Sequence, residues 1–141
     1  MQVIGVTGAR KVNEAEAEQL KYELWELDRK GNQWEIGDAD GVDAIARETV
    51  RGTQNHHDTE GKQPWQLAAR STKLVKALAE KGGTLHAWVN KEAPLGLKPS
   101  KIWKSAKGSG TWGTIAIAVG LGVKVELHWL GQDRTKPDWL E

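Results

Sequence analysis

The 141-residue chain has no cysteine and no phenylalanine, and it has one tyrosine and one methionine. The absence of cysteine excludes disulfide bonds and thiolate metal sites, and it fits a reducing compartment. The 20 basic and 19 acidic residues give a net charge of +1, so no excess of charge favours duplex DNA or an acidic membrane. The chain also lacks a long apolar run, and its start, MQVIGVTGAR, lacks the features of a signal peptide. We therefore expect one compact cytoplasmic domain without a membrane partner.

Tryptophan supplies nearly all of the aromatic surface, with eight residues spread along the chain. We expect most of these rings to fill the aromatic positions of a core. One or two rings could instead stack on a flat ligand such as a nucleobase.

The predicted elements alternate between strands and helices. Short apolar or β-branched runs predict strands at residues 2–7, 33–37, 84–90 and 123–130. Capped or amphipathic segments predict helices at 13–31, after the turn at 37–43, at 65–83 and from 111 onward. Residues 52–64 are polar and aperiodic, which predicts a surface loop. The pattern predicts a single small Rossmann-like α/β domain over residues 1–130, with a mainly parallel sheet of four to five strands, helices on both faces and a C-terminal tail at 131–141.

Three glycine-containing turns are expected at the carboxyl edge of this sheet, where ligands of open parallel sheets bind. They are TGAR at 7–10, GDADGVD at 37–43 and KGSGT at 107–111. Each turn precedes a helix, so backbone N–H groups and the helix dipole could hold an anion, with Arg10 and Lys107 as a phosphate clamp. The aspartates of the second turn would suit ribose hydroxyls. The alternative is that the glycines are plain turn residues and the aspartates are helix caps.

The segments VIGVTGAR, GDADGVDAIARE and GSGTWGTIAIAVGLGVKV together resemble the SLOG superfamily. This group includes the Lonely Guy phosphoribohydrolases, the DNA-processing proteins of bacterial transformation and small YspA-like proteins, and the similarity is closest to the YspA-like branch. The resemblance implies a Rossmann-like fold that binds a nucleotide or a nucleotide-derived ligand, such as ADP-ribose, at the glycine turns. Carried over by position, the implied ligand-facing residues are Gly8, Ala9, Arg10, Asp38, Gly41, Asp43, Gly108, Ser109, Gly110 and Thr111, with Arg70 and Ser71 as weaker candidates. Superfamily members commonly pair, and the apolar helix face at 115–119 could serve a homodimer.

One departure from the superfamily bears on activity. Lonely Guy enzymes have an acidic residue just after the glycine-x-glycine-threonine turn, whereas Trp112, Gly113 and Thr114 follow Thr111 here. A carboxylate would stabilise the positive charge that develops on ribose when an N-glycosidic bond breaks. We therefore favour ligand binding without cleavage, assign no catalytic residue and expect no cofactor. A nucleotide N-glycosidase that uses an aspartate from residues 38–43 is the first alternative.

A lysine-rich segment supports a second alternative. Lys98, Lys101, Lys104 and Lys107 recur every three residues beside Trp103, a pattern that suits phosphates and a stacked base. A single-stranded nucleic acid is therefore a further candidate partner, although a solvated loop would have the same composition. The run at 56–58, HHD, is interpreted as a solvated loop, so no metal site is predicted. His86 is an acid–base candidate only by elimination.

Overall fold

The computed structural model describes residues 2–61, 63–104, 106 and 108–141, which form five strands and four helices. In chain order these are β1 (Val3–Gly8), α1 (Glu14–Asp28), β2 (Gln33–Ile36), α2 (Val42–Thr49), β3 (Gln54–His56), α3 (Pro64–Lys81), β4 (Thr84–Val89), α4 (Gly110–Gly120) and β5 (Lys124–Trp129).

The sheet is parallel throughout, and its spatial order is β3-β2-β1-β4-β5. The chain builds outward from β1 to β3, then returns to the other side of β1 to add β4 and β5. The strand order therefore reverses between β1 and β4, where Val6 pairs with Ile36 on one side and with His86 on the other. This topology confirms the predicted Rossmann-like α/β domain with a parallel sheet.

Each face of the sheet is covered by two helices, and each interface has its own hydrophobic cluster. The buried residues Leu20 and Leu24 of α1 pack with Trp34 and Trp88 on one face. On the other face, α3 packs over β1 and β2 and α4 packs over β4 and β5, with Trp112 fully buried. Three of the eight tryptophans are thus completely enclosed, as expected for rings that fill a core without phenylalanine.

Local sequence signals set the helix ends. Asn13 caps α1 by accepting from the Glu16 N–H while the Glu16 carboxylate accepts from the Asn13 N–H, which is a complete capping box. Helix α3 begins with Pro64 and ends at Gly82, whose φ of +65° is the left-handed conformation that glycine tolerates best.

The predicted surface loop at 52–64 is wrong in one part, because residues Gln54–His56 form the edge strand β3. The signal was missed because this strand is polar and is held by side-chain bonds instead of apolar packing. The buried carboxylate of Glu35 accepts from Asn55 at 3.0 Å and contacts His57 Nε2 at 2.8 Å. Burial alone would raise the pKa of Glu35, but these bonds and one from Lys81 hold this pKa below its ordinary value. His57 is therefore part of a polar anchor and not of a solvated loop.

Two further parts of the chain pack more closely than the sequence indicated. The helix face at 115–119, considered above for a homodimer, is largely occupied within the chain, since Ile115 and Ile117 are buried in the core. The segment after β5 returns to the same core, where Leu140 is buried and Trp139 packs at its side.

None of the helices among the described residues combines the length and apolar character that a membrane span requires.

Candidate functional site

A cavity of about 430 Å³ opens at the carboxyl ends of β1 and β4, where the strand order reverses. This volume lies within the usual range for small-molecule sites, and the place is the one at which open α/β sheets bind ligands. Its lining residues are Ala9, Arg10, Lys11, Pro64, Leu67, Arg70, Ser71, Asn90, Lys91, Trp103, Ala106, Gly108, Ser109, Gly110 and Thr111.

The charge of this cavity has one sign among the described residues. Four basic side chains line it (Arg10, Lys11, Arg70 and Lys91), and no carboxylate does. Backbone contacts hold two of these positions in place. The Asn90 amide donates to the Lys11 carbonyl at 3.0 Å, and the buried Trp112 indole donates to the Lys91 carbonyl at 3.0 Å. An anion with several charged oxygens would be stabilised here.

The N-terminus of α4 forms one wall of the cavity. Ser109 is the N-cap and accepts from the Trp112 N–H, while the Thr111 hydroxyl donates to the Gly8 carbonyl and ties α4 to the end of β1. Gly108 has a φ of +85°, which a residue with a side chain rarely adopts. The first N–H groups of a helix lack intrahelical acceptors, so this turn presents donors and the positive end of the helix dipole.

The second glycine turn supports the first instead of entering the cavity. The bare α-carbon of Gly41 packs on the backbone of Ala9 and Arg10, and a Cβ there would overlap it. The Val42 N–H at the start of α2 donates to the Ala9 carbonyl at 3.0 Å. The start of α2 therefore fixes the backbone of the turn that carries Arg10, on the side away from the cavity.

Asp38 and Asp43 contact Arg70. The guanidinium donates to Asp38 at 2.8 Å and lies 3.7 Å from Asp43, and the Arg70 side chain is only 9% exposed although it lines the cavity. Gly37 permits this arrangement, since a Cβ there would stand 2.8 Å from Arg70 Nη1. Both aspartates thus orient a basic residue of the cavity from outside it.

The two carboxyls titrate differently. Burial raises the pKa of Asp43 to about 6, against the attraction of the Arg70 charge. Desolvation alone would also raise the pKa of Asp38, but bonds from Thr59 and the Arg70 charge hold it below its ordinary value.

Trp103 supplies an aromatic wall. Its indole lies on Gly113 of α4, where an added Cβ would meet the ring at 2.6 Å. The ring is partly buried against the core and also lines the cavity, so it is placed where a planar group could stack.

The residues predicted from the sequence fall into three groups. Ala9, Arg10, Gly108, Ser109, Gly110 and Thr111 line the cavity, while Gly8, Asp38, Gly41 and Asp43 lie behind it, and Lys107 is outside the described residues. Arg70 and Ser71, the weaker candidates, line it as well. The sequence analysis missed Lys11, Asn90 and Lys91, although the position of Asn90 directly after β4 was a usable signal.

The remaining acid–base candidate lies elsewhere. His86 does not line the cavity, and its Nδ1 is 2.9 Å from His128 Nε2, with the two rings stacked. Burial, together with the neighbouring His128, lowers the pKa of His86 to about 4. No group of three or more metal-ligating side chains suited to an ion occurs within residues 2–61, 63–104, 106 and 108–141.

The comparisons with known proteins find the same fold in DNA processing protein A. The Helicobacter pylori protein, described by its mode of binding single-stranded DNA, matches with a TM-score of 0.66 and 14% identity, over 98% of this chain and 69% of that one. The Streptococcus pneumoniae protein matches with a TM-score of 0.46 and 13% identity, over 90% and 59%. At 14% identity the likeness to the Helicobacter pylori protein shows the fold alone, which agrees with the Rossmann-like fold expected from the sequence. No family model and no curated protein matches the sequence.

Proposed function

We propose that this chain binds a nucleotide or a nucleotide-derived ligand in the cavity at the ends of β1 and β4. The observation that carries this proposal is the convergence of four basic side chains on a cavity whose described lining has no carboxylate. A neutral sugar would gain no charge attraction from such a lining, and a protonated amine would be repelled by it. A phosphate would gain charge-assisted bonds from the basic residues and further bonds from the N-terminus of α4.

The two kinds of wall suggest how such a ligand would be oriented. Phosphate oxygens would lie between Arg10 and the turn at Gly108–Gly110, because this is where a basic side chain and free backbone donors meet. A base would lie against Trp103, the aromatic ring of the lining. Stacking of one base on an aromatic ring contributes about 1–3 kcal/mol, so both contacts would matter to affinity.

Binding is favoured over glycosidic cleavage. Cleavage of the N-glycosidic bond would need a group that stabilises positive charge on ribose, and a carboxylate is the usual one. None of the aspartates at 38–43 that the enzyme alternative would use lines the cavity, and Asp38 and Asp43 contact Arg70.

A single-stranded nucleic acid is the second candidate ligand. It is favoured by three exposed lysines (Lys98, Lys101 and Lys104) on the segment that carries Trp103, which would extend a basic path beyond the cavity. The shared fold with a protein that binds single-stranded DNA is consistent with this candidate.

Calorimetric titration of one ligand series would test the proposal. The series contains sulfate, AMP, ADP, ADP-ribose and a short oligothymidylate, each titrated into the wild type, Arg10→Ala and Arg51→Ala. Arg51 is an exposed basic residue before β3, at the opposite edge of the sheet, and serves as the matched control. We expect Arg10→Ala to weaken phosphate-bearing ligands about 10- to 100-fold, the usual effect of losing a charge-assisted bond, and Arg51→Ala to have no effect.

The pattern across the series identifies the ligand class. A nucleotide that binds better than sulfate supports the leading proposal, and a nucleotide held at 100 times its dissociation constant should add about 2.7 kcal/mol to the free energy of unfolding. Oligonucleotide binding that greatly exceeds mononucleotide binding and falls steeply with salt would support the second candidate instead. Binding of no ligand, or equal binding by both variants, would overturn the proposal.

A further inference from the structure

A buried acidic group stands directly behind the basic cavity. Asp43, on α2, is 6% exposed, and its Oδ2 accepts from the Ala39 N–H at 3.1 Å. Its other oxygen, Oδ1, is buried and has no hydrogen-bond partner among the described residues. A buried oxygen of this kind is most costly while the group is charged, and the cost falls if the group takes up a proton.

The charges around Asp43 connect it to the cavity. The groups that face it are Arg70 from α3, Arg47 from its own helix and Asp38 from the turn before α2. Arg47 is itself paired with Asp58 at 2.8 Å. Arg70 is the member of this cluster that also lines the cavity. Any anion that approaches Arg70 in the cavity must therefore share this guanidinium with Asp38 and Asp43.

We infer that Asp43 is a positioning residue for Arg70, and that an anion bound in the cavity drives uptake of a proton by the Asp38–Asp43–Arg70 cluster. This inference rests on the proposed function, since it concerns how the same cavity binds its ligand. The new element is the regulation of that binding by pH through a group that does not touch the ligand.

The direction of the coupling follows from the charges. With no ligand, burial holds the pKa of Asp43 at about 6, so the carboxyl is mostly ionised at pH 7.5. A negative charge placed next to Arg70 opposes the ionised form of Asp43 and raises its pKa further. The bound state then holds more protons than the free state, so affinity must increase as the pH falls from about 7.5 towards 6. At pH 6 the free state is half protonated, and well below pH 6 both states are protonated, so the affinity reaches a plateau.

Sulfate is the appropriate probe because its own charge does not change between pH 5 and 8. The affinity of the wild type for sulfate is measured by calorimetry across this range, in two buffers with different ionisation enthalpies, which yields the number of protons taken up. If the bound anion raises the pKa of Asp43 by one unit, affinity rises about sixfold between pH 7.5 and 5.5. Proton uptake is expected to be greatest between pH 6 and 7.

Asp43→Asn and Asp38→Asn form a matched pair. The asparagine oxygen at position 43 can still accept from the Ala39 N–H, while the titrating proton is lost. Asp43→Asn should bind sulfate with an affinity that hardly changes with pH and without proton uptake. Asp38→Asn removes a group whose own pKa is already low, so it should keep proton uptake, centred at a lower pH because the Asp38 charge helps to raise the pKa of Asp43. A residue with a purely structural role would change neither of these pH readouts.

The outcomes separate this inference from the proposed function. Sulfate binding by the wild type with no proton uptake would overturn the coupling while leaving the cavity as an anion site. Binding of none of the anions in the ligand series would overturn the proposed function itself. If Asp43→Asn fails to fold, the pKa of Asp43 can be measured in the wild type from the NMR chemical shift of its carboxyl carbon as a function of pH. Saturating sulfate must raise this pKa. An unchanged pKa would again exclude the coupling.

Discussion

The far edge of the Trp103 indole packs on the bare α-carbon of Gly113, so this aromatic wall of the cavity rests directly on helix α4. Residues 94–104, which we call the strap, cross α4 along a row of small residues. The Ser100 N–H donates to the Ala116 carbonyl at 3.3 Å, and the Ser100 backbone occupies the place that a Cβ at Gly120 would take. The Trp139 indole holds the strap from the other side by donating to the Leu97 carbonyl at 2.9 Å.

The contact between Trp103 and Gly113 predicts that the effect of Gly113→Ala on the free energy of unfolding has opposite signs in the presence and absence of the Trp103 indole. Alanine is a better helix former than glycine by about 1 kcal/mol, so Gly113→Ala should stabilise the chain when Trp103 is already alanine. In the wild type the new methyl group would press on the indole, and the free energy of unfolding should fall instead. Urea unfolding of both single variants and the double variant measures the coupling, which we expect to be about 0.5–3 kcal/mol. Additive effects would mean that Trp103 does not rest on this residue.

The role proposed for Trp103 in the cavity has its own test. Trp103→Ala should weaken a nucleotide by about 1–3 kcal/mol, because the base would lose its stacking partner. Sulfate has no base, so its affinity should stay within about twofold of the wild-type value. Trp25→Ala on the exposed face of α1 serves as a control for the loss of an indole. Equal weakening of both ligands by Trp103→Ala would indicate that the ring supports the shape of the cavity and does not contact a base.

The sequence was sufficient to predict the elements whose signals are local. Strand β1 has a continuous apolar run, and Asn13, the first residue of the predicted helix at 13–31, is the N-cap of α1. The turn at Gly108–Thr111 was recognised because glycine and a capping serine before an apolar helix form a short-range pattern. These features depend on neighbours in the chain, so composition and spacing were enough to find them.

The features that sequence analysis missed depend on contacts between distant residues. Strand β3 is polar, and its assignment requires the knowledge that Asn55 and His57 meet the buried Glu35. The second glycine turn matched a ligand-binding pattern, but tertiary packing places Gly41 under the Ala9–Arg10 backbone. Pairing of Asp43 on α2 with Arg70 on α3, 27 residues later, has no local signature, because only the tertiary fold brings these two side chains together.

A single added carboxylate should close the proposed phosphate site. A Cβ at Gly110 would stand 3.5 Å from Arg10 Nη2, which is ordinary van der Waals contact, so a side chain fits there. Gly110→Asp would place a negative charge beside Arg10 at the first turn of α4, where the helix dipole favours it and stability is kept. Sulfate and nucleotide affinity should fall at least tenfold. Gly110→Asn has nearly the same shape without the charge and should bind much more like the wild type. Unchanged binding by Gly110→Asp would place the phosphate elsewhere.

The stacked pair of His86 and His128 predicts a loss of stability in acid. Burial lowers the pKa of His86 from 6.5 to about 4, so between these values the unfolded chain holds more protons than the folded one. Neutral His86 therefore makes its full contribution to the free energy of unfolding above pH 6.5, and this contribution is lost as the pH falls towards 4. A change of this size corresponds to about 3 kcal/mol at most.

Urea unfolding of the wild type and His86→Gln between pH 7 and 4.5 measures this contribution. Asp43 acts in the opposite direction, because its raised pKa makes the folded chain bind a proton as the pH falls through 6. The difference between the two proteins removes the Asp43 contribution, since both contain that residue. The difference should shrink or reverse in favour of His86→Gln as the pH is lowered, because the variant has no buried imidazole to keep neutral. A constant difference between His86→Gln and the wild type would mean that His86 accepts a proton in the folded chain as easily as in the unfolded one.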